Sequence, residues 1–375
     1  AGEVRAHLRE LRTGHSPWLY RRIVAAGRAL LGSGYESLDY DAGQVARARE
    51  LLATRPCAVV ASHRSYLDGG ALTAGFARHG LPPLVVFGGL NMAFWPIGSL
   101  WRRADGVFIR RGGADAAYRF ALRRTVGALL ARRRPLQWFV EGTRSRSGGF
   151  GEPKLGLLNY VVDAWREGGL DDAQLLPVAI AYDRLREVAE YAAEAAGRPK
   201  RRESLGWLWR FVRGQKGRFG HVYVRFGEPV SLRAVLGPPG AFPASNSPAA
   251  RKATRRLAAA AMTNLARAMP VTGTALVCRT LQHAPEGLSL VELCERVRVV
   301  AAAGRAGGLP LVASARFADA AAVEPVVLAL VAEGVLERDA QAKLRATRDG
   351  AHAVGWYANS IAHHGFAASQ ASTSA

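Results

Sequence analysis

Between residues 57 and 227 short apolar runs alternate with longer stretches of a different period. The runs are CAVVA (57–61), PLVVFG (83–88), GVFI (106–109), LQWFV (136–140), LLPVAIAY (175–182) and HVYVRFG (221–227). They are rich in β-branched and aromatic residues and too short for helices, which is how strands buried on both faces read. The stretches between them, such as AAYRFALRRTVGALLARRR (116–134), LGLLNYVVDAWREGG (155–169) and LREVAEYAAEAAG (185–197), carry apolar residues at helical spacing. That alternation predicts an α/β fold, a mixed sheet flanked by helices.

Residues 51–236 are thus expected to form an α/β core. Residues 1–50 read as an N-terminal helical segment. Within it SPWLYRRIVAAGRALLG (16–32) opens on Ser and Pro, closes on Gly, and should turn Arg21, Arg22 and Arg28 outward. GPPGAFPASNSPAA (237–250) holds four prolines and reads as a linker. RKATRRLAAAAMTNLARAM, SLVELCERVRVVAAA and VEPVVLALVAEGVLERD then predict a helical C-terminal region over 251–366, an appendage to the core. The tail, 367–375, is too polar and small to pack and is expected to be disordered.

Charge narrows the partners. The chain carries 51 Lys and Arg against 30 Asp and Glu, a formal +21, so its surface attracts nucleic acid, anionic lipid or phosphorylated small molecules. Twelve arginines fall in 102–146, and a second basic cluster spans 198–233, which reads equally as a solvated face. Cys57, Cys278 and Cys294 lie in apolar runs without metal spacing and read as core residues of a reducing compartment. The opening AGEVRAHLRELR is charged and does not read as a secretory signal; the first residue is not Met, which fits part of a longer product. LPPLVVFGGLNMAFWPIGSLW (81–101) is long enough to span a bilayer, but its prolines and glycines would break a lipid-exposed helix. It predicts a strand, a turn and a short helix. Trp95 and Trp101 beside Arg102 and Arg103 suit a membrane interface and a buried core equally.

Three constellations carry chemistry. In SHRSYLDGG (62–70), His63 and Asp68 can serve one site only if a helix starts between them. Ser65 as N-cap and Asp68 three residues later have the spacing of a capping box, leaving His63 in the preceding turn. A neutral imidazole there can take a proton while the carboxylate holds its other N–H. Taken alone, the pair reads first as a capping carboxylate beside a loop histidine. DGVFIRRGG (105–113) places Arg110 and Arg111 at the end of a strand, where an α/β sheet lines its ligand crevice. WFVEGTRSRSG (138–148) is the sharpest. After its strand come Glu141, Gly142 for a tight turn, Thr143 and Ser145 as hydrogen-bond donors, and Arg144 and Arg146 as cations, with Lys154 beyond. Pro177 lies inside a predicted strand and marks an edge, a bulge or a strand start.

With SHRSYLD, GVFIRR, FVEGTRSRSG and LPVAIAYDR in this order, the sequence resembles the glycerolipid acyltransferases, and most closely the glycerol-3-phosphate acyltransferase branch. LNMAFWPIG (90–98) and WYANSIAHHGF (356–366) are also similar to that branch, so the likeness runs from about residue 15 to 366. The resemblance implies that His63 is the catalytic base and Asp68 its partner, that Arg111, Glu141, Gly142 and Arg144 belong to the acceptor site, and that Pro177 lies near the acyl donor. Arg110, Thr143, Ser145, Arg146 and Lys154 join the acceptor site by charge and placement. The implied reaction moves a fatty acyl group from acyl-CoA or acyl carrier protein to the sn-1 hydroxyl of glycerol 3-phosphate, with no metal and no cofactor beyond that co-substrate. Dihydroxyacetone phosphate and 1-acylglycerol 3-phosphate are alternative acceptors. The charge then fits anionic membrane lipids at the cytoplasmic face, reached peripherally. A non-catalytic basic protein binding nucleic acid or a membrane surface is the rival reading. Nucleic acid is not expected, because no helix-turn-helix, RNP or zinc pattern occurs.

Overall fold

The computed structural model describes residues 2–90, 97–110, 112, 115–167, 170–195, 205–214, 217–241, 247–315, 317 and 320–365. In chain order the first elements are α1 (Gly2–Glu10), α2 (Pro17–Gly32), β1 (Ser37–Tyr40), α3 (Ala42–Thr54), β2 (Cys57–Ala61), α4 (Asp68–Arg78), β3 (Val85–Gly89), α5 (Ile97–Arg102), β4 (Gly106–Ile109) and α6 (Ala116–Ala131). Next come β5 (Leu136–Phe139), α7 (Leu155–Glu167), β6 (Gln174–Tyr182), α8 (Val188–Ala195), α9 (Leu205–Gly214), β7 (His221–Phe226), β8 (Val230–Ser231) and α10 (Leu232–Leu236). The C-terminal region adds α11 (Pro248–Ala268), α12 (Gly273–Gln282), α13 (Leu290–Ala306), α14 (Ala320–Ala332), β9 (Leu336–Arg338), β10 (Leu344–Ala346) and α15 (Ala351–Ser360).

The main sheet runs β1-β7-β6-β2-β5-β3-β4, with β8 also paired to β6. From β6 to β4 every neighbour is parallel, whereas β7 and β8 run antiparallel to β6. The mixed sheet is therefore as expected. Its strands read as continuous apolar runs because both faces are covered. Along β2, Cys57, Val59 and Ala61 enter one core, and Ala58 and Val60 the other. The first core takes side chains from α3, α4 and α12 to α15. The second takes them from α1, α6, α7 and α11.

Several expectations change here. The first fifty residues are not all helical, since β1 joins the sheet beside β7. The C-terminal region is no appendage: Val277, Val297, Val327 and Trp356 lie in the same core as Val59 and Val178. Its last predicted helix ends early, and Leu336–Arg338 instead pairs with Leu344–Ala346 as a hairpin. In the proline-rich 237–250, a 3₁₀ turn covers Pro239–Ala241 and α11 begins at Pro248; 242–246 lie outside the described residues, as does the tail from 366. Of the 81–101 stretch, β3 and α5 are present, and Trp95 falls outside the described residues. Among the described residues, no helix is long and apolar enough to cross a membrane.

Pro177 marks neither an edge nor a strand start but lies at a bulge: residues 176–177 of β6 face 227–229, one residue more, between the β7 and β8 pairings. It pairs with Val60 inside the sheet, and its carbonyl accepts Gly227 N at 2.8 Å on the opposite side. In a strand, a residue's N–H and C=O point the same way. The proline nitrogen therefore faces the gap where the partner of β6 changes from β8 to β7, and no ladder bond is lost.

Candidate active site

Four neighbouring parallel strands, β2, β5, β3 and β4, end on one edge of the sheet, where α/β folds place their ligands. His63 follows β2, Glu141 and Gly142 follow β5, and Arg110 follows β4. A cavity of about 620 Å³ opens there. Its lining includes His63, Tyr66, Arg110, Gly142, Thr143, Arg144, Arg146 and Lys154, together with the apolar Phe87, Trp101, Ile109, Trp138 and Leu157. Cationic and apolar side chains thus line the same cavity as the imidazole. Trp101, left between core and membrane by the sequence, belongs to this wall.

The turn after β2 is built around one carboxylate. Asp68 is fully buried, and its Oδ2 accepts His63 Nδ1–H at 2.8 Å, Arg64 N–H at 2.6 Å and Ser65 N–H at 2.9 Å. Its Oδ1 accepts the Tyr182 hydroxyl at 2.6 Å. Four donors, together with the start of α4, offset the cost of burying the charge. Burial, with Asp68 beside it, raises the Tyr182 pKa, so this hydroxyl stays a donor. A carboxylate only accepts, so Nδ1 carries the imidazole proton and Nε2 keeps its lone pair. Phe139 stacks on the ring, with centroids 3.8 Å apart and planes 7° from parallel.

The capping box forms only in part. Ser65 N–H does bond Asp68, but the helix starts two residues later than expected, with Leu67 at the N-cap and no side-chain cap bond. The Ser65 hydroxyl accepts Leu67 N–H and donates to buried Glu187 at 2.5 Å. A cap serving both the turn and a distant carboxylate is invisible in local spacing.

The loop after β5 divides its residues between ligand and scaffold. Glu141 lies outside the cavity lining: its carboxylate is buried and accepts His63 N–H at 3.4 Å and Gly151 N–H at 2.8 Å. Gly142, at φ +71°, has Lys154 packed where a β-carbon would sit. Ser145 is also turned inward, its N–H on His63 O at 2.9 Å and its hydroxyl on Gly149 O at 2.6 Å. Thr143 is exposed on the lining. The Arg144 guanidinium lies 3.5 Å over the Tyr66 ring and donates to Tyr191 Oη at 3.2 Å. Arg146 pairs with Glu194 at 2.5 Å. Lys154 reaches the cavity and pairs with no carboxylate among the described residues. Arg110 is held by both oxygens of Glu10, at 3.0 and 2.6 Å, and Arg111 lies outside the described residues. Pro177 is buried in β6 and does not line the cavity.

Sequence reasoning missed the supports. Arg64 is buried, and its Nη1 donates to the carbonyls of Gly148 and Gly149. From α15, the Trp356 indole donates to Ser145 O at 3.2 Å and the Asn359 amide to Ser147 O at 3.0 Å. The resemblance of 356–366 was a signal for that contact. Nothing local marked Arg64, Tyr182 or Glu187.

Residues 44–181 match the family model described as "Acyltransferase", and residues 191–373 match "Glycerol-3-phosphate acyltransferase C-terminal region". The chain is 34% identical over 338 residues to proteins named "Putative acyltransferase plsB1" in Mycobacterium bovis and Mycobacterium tuberculosis. That alignment covers 89% of this chain and 53% of each relative, so the chain spans about half the length of the curated relatives it matches. The crystal structure of the 1-acyl-sn-glycerophosphate (LPA) acyltransferase PlsC from Thermotoga maritima aligns at TM-score 0.37 and 18% identity, over 65% of this chain and 78% of that one. With the two models matching most of the chain and the relatives 34% identical over 338 residues, the chain belongs to the glycerol-3-phosphate acyltransferase family.

Proposed function

We propose that the chain transfers an acyl group from acyl-CoA or acyl carrier protein to the sn-1 hydroxyl of glycerol 3-phosphate. One observation carries the reading: the His63 imidazole, fixed by Asp68 through Nδ1, lines a cavity whose wall also carries the cations Arg144 and Lys154 and the apolar Trp101, Ile109, Trp138 and Leu157. The acceptor phosphate belongs with Arg144 and Lys154, and the acyl chain with Trp101, Ile109, Trp138 and Leu157. Nε2 takes the hydroxyl proton as the oxygen attacks the thioester carbonyl. The tetrahedral intermediate then breaks its C–S bond, and the leaving thiolate takes the proton back from the imidazolium. Asp68 steadies that imidazolium without accepting its proton. Holding the phosphate fixes the hydroxyl against the base, and at the ideal limit such orientation lowers a barrier by roughly 7 to 11 kcal/mol.

The product, 1-acylglycerol 3-phosphate, stays in a bilayer, and the +21 charge fits peripheral attachment to anionic lipid. The test is release of free thiol from a long-chain acyl-CoA, with and without glycerol 3-phosphate, dihydroxyacetone phosphate and 1-acylglycerol 3-phosphate. Acceptor-dependent release that is fastest with glycerol 3-phosphate supports the reading. Preference for either other acceptor replaces the substrate but keeps the chemistry, and acceptor-independent behaviour in the wild type and His63→Ala protein alike removes the enzyme.

A further inference from the structure

Helix α9 takes no part in the site described above, yet it touches it. Phe211, on its inner face, meets the Tyr66 ring edge-on at 5.5 Å, and Tyr66 lines the cavity beneath Arg144. On the outer face Trp209 is 59% and Val212 43% exposed. Spacings of three and four residues put Trp209, Val212 and Arg213 on one side of a helix. The Arg213 guanidinium lies 4.2 Å over the Trp209 ring, and Arg210 is exposed beside it. At the end of the helix, the guanidinium of exposed Arg186 fills the space beside Gly214. The segment 205–220, LGWLWRFVRGQKGRFG, contains no carboxylate.

An indole and a branched aliphatic exposed side by side and ringed by arginines are poorly suited to bulk water. They suit the boundary of an anionic bilayer, where Trp sits at headgroup level and arginine pairs with lipid phosphate. The cavity repeats the pattern elsewhere. Leu90 follows Gly89 of the lining, Leu100 precedes Trp101 of the lining, and both leucines are exposed.

We propose that α9 is the surface by which the protein docks on an anionic lipid bilayer. Trp209 and Val212 enter the headgroup–acyl boundary, while Arg210 and Arg213 engage lipid phosphates. Resting on the acyltransferase reading, the proposal gives that site its orientation: docking through α9 brings the cavity to the membrane that holds the acylated product.

The experiment is flotation of the full chain with phosphatidylcholine vesicles, with and without about 30% phosphatidylglycerol, at rising salt. The variants are Trp209→Ser with Val212→Ser, and Arg210→Ser with Arg213→Ser; Val291→Ser with Val299→Ser, exposed on α13, is the control. The wild type should float with the anionic vesicles and less so as salt rises. Each α9 pair should weaken binding by about tenfold, and the control pair should not. Thiol release from a water-soluble short-chain acyl-CoA should be equal in all four proteins, because none of these side chains lines the cavity. Wild-type flotation by the Trp209/Val212 pair overturns the proposal, as does binding that ignores lipid charge. So does a pair that floats normally but no longer retains acyl carrier protein, which would make α9 a protein-docking face. If the wild type floats as expected but releases no thiol, the acyltransferase reading fails while the docking surface stands.

Discussion

The turn at 62–68 and the loop at 141–151 sit side by side at one edge of the sheet, but they are held in opposite ways. In the turn, the Asp68 carboxylate gathers three donors from within five residues, and a fourth, Tyr182, comes from afar. In the loop, the carbonyls of Ser145, Ser147, Gly148 and Gly149 are taken by Trp356, Asn359 and Arg64. Two of those three donors lie more than 200 residues away. The carboxylate behind the base is therefore held mainly by local sequence, and the cation loop by Arg64 and the C-terminal helix α15. Under the proposed chemistry, damage to the turn should appear in the rate, and damage to the loop in acceptor affinity.

The largest expected effect is at the turn. His63→Ala should lower kcat by roughly 10²- to 10⁴-fold, the range for losing a general base, with little change in Tm. Asp68→Asn should also cut kcat, since a neutral amide no longer stabilises the imidazolium. It should nevertheless fold, because Tyr182 Oη can accept from the new amide while its oxygen keeps the other donors. A change in acceptor KM with kcat preserved, in either variant, would break the division of labour.

The next effect belongs to the loop. Gly148 has φ +84°, and a β-carbon there would lie 1.8 Å from the Trp356 carbonyl oxygen, a backbone atom that cannot swing away. Gly148→Ala should push the loop off α15, raise KM for glycerol 3-phosphate about tenfold or more, and speed amide exchange across 143–150. Asn359→Ala removes one hydrogen bond, a loss of about 0.5 to 1.5 kcal/mol, and should raise the same KM only a few-fold. An unchanged acceptor KM in Gly148→Ala would show that Arg64 alone holds the loop.

The same contrast explains what the sequence disclosed. CAVVA and LQWFV were legible because burial on both faces leaves an unbroken apolar run, and His63 and Asp68 because their partnership is local. β1 was not, since SLDY is four residues long and owes its place to β7. Glu141 read as a ligand by resemblance and Ser145 by placement, yet each is turned inward on backbone partners that only the folded chain supplies. Arg144 kept its place on the lining, but the two tyrosines that flatten it come from other elements. Helix α9 was passed over because the segment 198–233 reads by its charge alone, as a basic cluster.

The smallest effect tests how far the turn is self-sufficient. Glu187 is buried behind it: Oε1 accepts the Ser65 hydroxyl at 2.5 Å and Tyr66 N–H at 3.2 Å, while Oε2 has no hydrogen-bond partner among the described residues. Burial raises its pKa above the ordinary 4.5, against the pull of those two bonds and of Arg144. In the unfolded chain the carboxyl ionises near its ordinary value, whereas in the folded protein it holds its proton to higher pH. Across that window the native state binds more protons, so stability falls as pH rises and levels off once the folded group has ionised. Glu187→Gln keeps an acceptor for Ser65 and Tyr66 but cannot ionise. Denaturant unfolding of the two proteins from about pH 4.5 upward should give curves that meet at the acid end and separate above it, with the variant the more stable. Parallel curves would mean that Arg144 compensates the ionised carboxylate fully, and the turn would then depend on the neighbouring loop for its own stability.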